Sequence, residues 1–244
     1  MKEAAKLAAK RFVEERGADS SVGGVDFVSE KAYNCAVSEM KYQEFRDRFF
    51  KFGCVSIELI AAFYSVFDRH NLKRWTDSGY LIKLKRGLYA FSDWRQTAGM
   101  GEAMASRIYA PSYLSCEWVL ARAGLIPESV VQFTSVTTLK TAKFSNVFGD
   151  YSYRTIKPQV FWGYESRPLA SGLQGQVATP AKALLDLLYL NSFYNTAEEM
   201  TELRLDREVL AETIQGRELS DLAPCYECQA LVDRVALLRK VYGI

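Results

Sequence analysis

Between Ser56 and Phe91 the apolar positions recur first at helical and then at strand spacing. Leu59, Ile60, Phe63 and Tyr64 follow three- and four-residue steps, a stripe that one helix face can bury, and Ser56 stands where an N-cap belongs. A second helix is predicted from Ser65, with Asp68 three residues on as a capping-box-like partner, to a stop at Gly79. At about 100° per residue, Leu72 and Trp75 share one side of it, while His70, Lys73, Arg74 and Asp77 share the other. Tyr80 to Leu84 and Leu88 to Phe91 then read as two short strands around Lys85-Arg86-Gly87, where Gly87 can take the positive φ of a tight turn. Helix, turn, helix and basic hairpin predict a winged helix-turn-helix, whose second helix can lie in the major groove while the hairpin reaches phosphates.

Upstream, Met40, Phe45, Phe49, Phe50 and Phe52 alternate with charges over Ser38 to Phe52, predicting a first helix that ends at Gly53, with Cys54-Val55 as a short strand beside the wing. Lys2 to Arg16 has a helical pattern stopped by Gly17, and Ala18 to Gly24 has the composition of a loop or linker. A dimerisation arm, a helix packed on the second domain and a partly disordered tail all fit this extension.

Asp93 to Thr97 is the expected junction between domains. Beyond it the pattern predicts a short helix over Gly99 to Tyr109 ended by Pro111, and a helix from Ser115 through Trp118, Val119 and Leu120 to Gly124. Strands follow at Val131 to Thr138, Tyr151 to Ile156 and Val160 to Tyr164. Thr179-Pro180 pairs an N-cap with proline at the first helical position, opening the apolar helix Ala181 to Leu190 at the centre of the second core. Asp206 caps a helix over Arg207 to Gln215 with Gly216 as its stop, and a last helix spans Tyr226 to Tyr242. The predicted class is α+β: an N-terminal helical extension and linker (1–38), a winged helix-turn-helix (39–94), and a C-terminal mixed α/β domain (95–244) with a small sheet and several helices.

Charge sharpens the first of these domains. From Lys41 to Ser92 there are ten basic and five acidic residues, a local balance of +5, whereas the whole 244-residue chain carries +2. A local basic reader fits this distribution better than a protein that coats nucleic acid indiscriminately. A hydrophobic content of 49% suits an ordered globular chain, and no apolar run approaches the roughly 18 residues of a membrane span, so a cytoplasmic protein with no membrane partner is expected. Cys35, Cys54, Cys116, Cys225 and Cys228 are an odd count in apparent core segments, which fits reduced thiols.

Little in the sequence points to catalysis. His70 is the only histidine and falls on the outer face of the second helix, which removes histidine-based triads and most zinc sites. Cys225-Tyr-Glu-Cys228 has no second ligand pair to complete a structural zinc site, and neither a GxxxxGK[ST] loop nor a GxGxxG turn is present. Asp186 has a plain explanation as a polar position on an apolar helix, and Asp206 as a cap. No enzyme activity, cofactor or metal is expected.

Leu81 to Phe91, followed by Ala110-Pro-Ser-Tyr-Leu-Ser115, Gly124-Leu-Ile-Pro127, Ser135-Val-Thr-Thr138 and Ala178-Thr-Pro-Ala-Lys-Ala-Leu-Leu-Asp-Leu-Leu-Tyr189, resembles the AbiEi family of antitoxins and transcriptional regulators of bacterial abortive-infection, type IV toxin–antitoxin systems. The resemblance spans roughly Phe45 to Leu190. Two departures bear on sub-family and partner: Ala181 stands where the family pattern expects an acidic residue, and Cys116-Glu-Trp118 replaces a run of small residues. The resemblance implies a winged domain that binds inverted repeats in its own promoter and represses its operon, and a C-terminal domain that supports antitoxicity. The toxin it implies is nucleotidyltransferase-like and is countered without a stable complex; monomer in solution and dimer on DNA both remain open. Carried onto this chain, double-stranded DNA would be met by Arg69, His70, Asn71, Lys73 and Arg74 in the helix and Lys83, Lys85 and Arg86 in the wing. Arg74 and Asn71 suit base edges, since Arg pairs bidentately with guanine and Asn with adenine, while Lys85 and Arg86 suit phosphates. Trp75 suits the core.

Two other classes of function compete. A winged fold can contact protein, leaving its basic residues merely solvated. An enzyme would need a concave pocket in the second domain with convergent polar groups.

Overall fold

The computed structural model describes residues 40–170, 172–214 and 216–244; the helix expected over Lys2 to Arg16 and the loop over Ala18 to Gly24 lie outside them. The chain divides at Trp94/Arg95 into two compact units. Over the described residues it is a mixed α+β protein with ten α-helices and two sheets, one of three strands and one of six. No helix among them is long and apolar enough to cross a membrane.

The first unit begins with α1 (Tyr42–Phe49), which buries Phe45 and Phe49 at i and i+4, and continues through a 3-10 turn over Phe50–Phe52. β1 (Cys54–Ser56) leads directly into α2 (Ile57–Phe63), where the Ser56 side chain accepts from the Leu59 N–H at 3.1 Å. Of the apolar stripe on α2, Ile60 is fully buried, while Leu59, Phe63 and Tyr64 pack half-buried against the same core. The next helix, α3, runs over His70–Asp77 and not from Ser65. Tyr64 leaves α2 in an extended conformation. The Asp68 carboxylate accepts from the His70 N–H at 2.9 Å, so it caps from two residues before the helix instead of closing a box with Ser65.

α3 ends as expected near Gly79. The Tyr80 N–H donates to Trp75 O and the Gly79 N–H to Thr76 O, a Schellman pair that requires Gly79 at φ +77. β2 (Leu81–Lys85) and β3 (Leu88–Phe91) form an antiparallel hairpin around Arg86-Gly87, one residue shorter at its turn than the predicted tip. β3 also pairs with β1, giving the order β1-β3-β2. The Ile57 N–H donates to Gly87 O at 3.0 Å and ties the turn to the start of α2. Phe45, Phe49, Val55, Ile60, Leu72, Trp75, Leu81 and Phe91 make the core of the unit. Arg46 of α1 donates to Asp93 at 2.8 Å beyond β3, and holds that carboxyl below the usual range.

The second unit opens with α4 (Met100–Ile108), β4 (Ser112–Leu114) and α5 (Cys116–Arg122). β5 (Phe133–Thr137), β6 (Ala142–Asn146) and β7 (Gly149–Thr155) follow, then β8 (Tyr164–Pro168) and β9 (Gln174–Ala178). The six strands lie in the order β6-β7-β5-β4-β9-β8; β5 with β7 and β4 with β9 are parallel, and the other pairs antiparallel. The strand expected over Val160 to Tyr164 is not there: Pro158–Val160 is a 3-10 turn and the strand starts at Tyr164. β4, β6 and β9 had no strand expectation at all.

α6 (Pro180–Leu190) buries every residue from Ala181 to Leu188, and Thr179 caps it by accepting from the Lys182 N–H. It is the centre of this core, as its composition predicts. α7 (Ala197–Thr201) carries a full capping box from Thr196 and Glu199. Asp206 caps α8 (Arg207–Thr213), which ends two residues earlier than predicted; α9 (Gly216–Leu222) then begins at the glycine expected to be a stop. α10 (Gln229–Tyr242) starts after a 3-10 turn that holds Tyr226, three residues later than predicted. On the sheet, Gly101 of α4 sits so close to β5 that a Cβ there would lie 2.4 Å from the Phe133 ring and 2.8 Å from Phe148 O. A helix side chain at that point would force the layers apart.

Candidate nucleic-acid interface

α3 turns Leu72 and Trp75 into the core, and the Trp75 ring packs 4.7 Å from that of Phe45. Its outer face carries Arg69, His70, Lys73 and Arg74, all exposed. The His70 side chain is 93% exposed, with Nδ1 2.8 Å from Asp68 Oδ1. The His70 backbone N–H, and after it the ring, hold the Asp68 carboxyl below its ordinary value. Lys73 Nζ donates to Asp77 Oδ2 at 2.5 Å one turn on, with both side chains largely in solvent. An exposed pair of this kind contributes little and is readily exchanged for a phosphate.

Asn71 departs from the sequence expectation. It was expected among the DNA-contacting residues, but it is only 3% exposed and cannot reach a base edge. Its Oδ1 accepts from Arg74 Nη2 at 2.8 Å, and its Nδ2 is buried with no hydrogen-bond partner among the described residues. The cause is helical spacing: Asn71 and Trp75 are four residues apart and share the inward face. Asn71 thus orients the Arg74 guanidinium, which remains outside.

In the hairpin, Lys83 and Arg86 are exposed, and Arg86 is at the turn itself. Lys85 is not at the tip. It lies in β2, half-buried, and burial lowers its pKa although Glu58 opposes this. Of the eight residues expected at a DNA surface, six are solvent-exposed: Arg69, His70, Lys73, Arg74, Lys83 and Arg86. Tyr80 stands 49% exposed and stacks on Tyr42, centroids 4.6 Å apart, where α3 meets the sheet.

The largest concentration of buried charge lies in the second unit, and sequence reasoning passed over it. Asp186, expected as a lone polar position, is wholly buried on α6. Its Oδ1 accepts from Lys182 Nζ at 2.5 Å and Tyr226 OH at 2.8 Å; its Oδ2 accepts from Ser115 Oγ at 2.8 Å and Tyr113 OH at 3.0 Å. Lys182 Nζ also donates to Val160 O at 2.9 Å and Tyr226 OH at 2.7 Å, and lies 4.7 Å from the Trp162 ring centroid. Burial pushes Asp186 up and Lys182 down, outweighing the pull of each on the other. Four donors aimed at the carboxylate and three acceptors around the ammonium nonetheless match the ionised pair, because a neutral carboxyl would leave one of those donors opposed. Ser115, expected to cap α5 with its side chain, spends its hydroxyl here. The available signal was the i, i+4 spacing of Lys182 and Asp186 within an otherwise apolar helix. The arrangement joins α6 to β4 and to the turns at Val160 and Tyr226 and is closed to solvent.

Cys54 and Cys116 are buried, Cys225 exposed and Cys228 half-buried. Among the described residues no group of three or more His, Cys, Asp or Glu side chains converges as a metal site. The sequence matches no protein-family model and no curated protein.

Proposed function

We propose that this chain is a sequence-specific DNA-binding repressor of its own operon and the antitoxin of a toxin–antitoxin pair, as its resemblance to the AbiEi regulators implies. The observation that carries the DNA-binding part is the cationic outer face of α3, with Arg74 held by a buried Asn71, in a unit whose elements run α1-β1-α2-α3-β2-β3. That order is the order of a winged helix-turn-helix, with α3 as recognition helix and the Arg86 turn as wing. Arg74 reads a guanine edge; Arg69, Lys73, Lys83 and Arg86 meet phosphates. The protein acts without catalysis, and antitoxicity belongs to the second unit and requires no stable complex with the toxin.

The deciding experiment is binding of the purified protein to its own upstream region against a scrambled duplex of equal length, at two salt concentrations. Neutralising about five phosphates gives a slope of log affinity on log salt near −4.5, at about −0.9 per phosphate. Equal affinity for both duplexes removes the repressor; salt-independent behaviour with neither bound favours a protein-contact role for the same face.

A further inference from the structure

The second unit carries an open cleft of about 400 Å³ that none of these roles uses. Its floor is the parallel pair β5 and β7, where Thr134 and Ser152 stand opposite one another. Residues in register on paired strands point to the same face. The intervening Tyr151 and Tyr153 point the other way, donating to Gly101 O and Ala105 O of α4, so the cleft lies on the sheet face away from α4. Leu187 of α6 and Leu203, just past α7, supply apolar wall; Glu117 of α5 and Glu202 at the end of α7 supply carboxylates.

Thr134 and Ser152 are 8% and 7% exposed, yet neither hydroxyl has a hydrogen-bond partner among the described residues. Neither oxygen is among the fully enclosed atoms that lack a partner, so both open onto the cleft, where water or a ligand donor can meet them. Glu117 and Glu202 likewise have no ion-pair partner among the described residues, whereas Glu128 at the rim is taken by Arg204 at 3.0 Å. Burial, and then both Glu117 and Glu202, raise the Tyr194 phenol, which puts the two carboxylates within electrostatic reach of one group. Arg154, the one cation of the lining, donates to Leu190 O at 3.1 Å and keeps its charge, so with Glu128 taken by Arg204 the two carboxylates Glu117 and Glu202 leave the lining one negative charge in excess. Among the described residues the cleft therefore offers a net negative charge, two acceptors without a partner and an apolar wall.

We propose that this cleft binds a small organic cation, an alkylguanidinium or alkylammonium, with its head between Glu117 and Glu202, its donors on Thr134 and Ser152 and its stem along Leu187 and Leu203. The volume sits near the small end of the roughly 300–1,000 Å³ range of ligand pockets, enough for one such head and a stem of a few carbons. Charge-assisted hydrogen bonds to carboxylates give the selectivity for a cation over a neutral molecule of the same shape. The head can arrive on a free amine or on a side chain of a basic peptide.

Calorimetric titration of the full-length protein tests this with three probes: agmatine, the capped tripeptide Ac-Gly-Arg-Gly-NH2, and neutral n-butylurea. Saturable binding of agmatine alone identifies a free amine as the natural type of ligand, binding of the tripeptide alone identifies a protein side chain, and binding of both supports the shared head group. In Glu117→Gln with Glu202→Gln, which keeps side-chain shape at a rim that contributes little to the core, affinity for the bound cation falls at least about tenfold. Circular dichroism confirms that the variant is folded. No saturable binding of either cation up to about 10 mM, equal binding of n-butylurea, or unchanged affinity in the double variant overturns the proposal.

Discussion

On the proposed DNA-binding reading Asn71 positions a contacting residue without touching DNA itself, and a double-mutant cycle with Arg74 tests that role. Asn71 is 3% exposed and accepts from Arg74 Nη2 at 2.8 Å, so on that reading any effect it has on DNA binding runs through that guanidinium. A bidentate arginine–guanine contact discriminates by about 1–3 kcal/mol, so Arg74→Ala should reduce the preference for the upstream duplex over a scrambled one about 5- to 150-fold. The Asn71–Arg74 hydrogen bond contributes about 0.5–1.5 kcal/mol, so Asn71→Ala should cost about 2- to 12-fold of that preference. Because both losses act on one guanidinium, Asn71→Ala combined with Arg74→Ala should be no worse than Arg74→Ala, within about 0.5 kcal/mol. Stability should change little: Asn71→Ala deletes a donor, Nδ2, that is buried without a partner, and this offsets the amide packing lost. Fluorescence anisotropy with both duplexes at one fixed salt concentration reads all four corners. Additive losses, with the double variant worse than either single, would show Asn71 acting on DNA independently of Arg74 and would refute the positioning role.

Three further perturbations test other parts of the structure. Arg86→Ala should weaken binding to specific and scrambled duplexes alike and reduce the salt slope by about 1, whereas half-buried Lys85→Ala should do so less; equal slopes for the two would restore Lys85 to the contact surface. Lys182→Met leaves the Asp186 carboxylate buried without its cation, a loss of about 3–5 kcal/mol that lowers Tm by about 6–20 °C. With the lowering effect of Lys182 removed, burial holds the folded pKa of Asp186 above its unfolded value near 3.9. The folded state is therefore favoured at low pH and loses this as pH rises, and the deficit against the parent, followed by calorimetry, should be larger at pH 7.5 than at pH 5. Gly101→Ala presses a methyl against the Phe133 ring and Phe148 O and should destabilise by about 1–3 kcal/mol in urea unfolding, most of it recovered by Phe133→Leu; no loss would mean that α4 can lift from the sheet freely.

What was legible in the sequence was local. Ser56, Thr179 and Asp206 act as caps because a cap needs only its own next three residues, and the Gly79 stop needs only a positive φ and two following bonds. The same rules failed at Ser65, whose spacing to Asp68 imitates a capping box while the backbone between them stays irregular. Ala142–Asn146 lies at the sheet edge with polar residues outward, and Gln174–Ala178 has two glutamines and a glycine, so neither shows the β-branched run by which a strand is recognised. Conversely Val160 to Tyr164 has strand composition but follows a 3-10 turn begun by Pro158, and it is spent on packing beside Lys182. The basic face of α3 was readable from a helical wheel; the cleft was not, because Glu117, Ser152 and Glu202 meet only after the sheet is assembled.

The two polar constellations obey opposite rules, and this bears on where recognition resides. In the second unit Lys182 and Asp186 are entirely enclosed, and every donor and acceptor between them is engaged within the protein. A group whose bonds are all made internally has none left over for a ligand, so the role its geometry supports is to fix α6 in place. In the first unit Arg74 has one nitrogen tied to a buried amide and the rest of its fork toward solvent, where a fixed geometry lowers the ordering cost of binding. Its neighbours Lys73 and His70 rest on exposed aspartates that a phosphate can displace. The cleft beside α7 shares this half-satisfied condition, with two carboxylates and two hydroxyls that have no partner among the described residues. Unspent hydrogen-bonding capacity on a supported framework is thus what the proposed roles of α3 and of the β5–β7 floor share, and what the more conspicuous buried ion pair lacks.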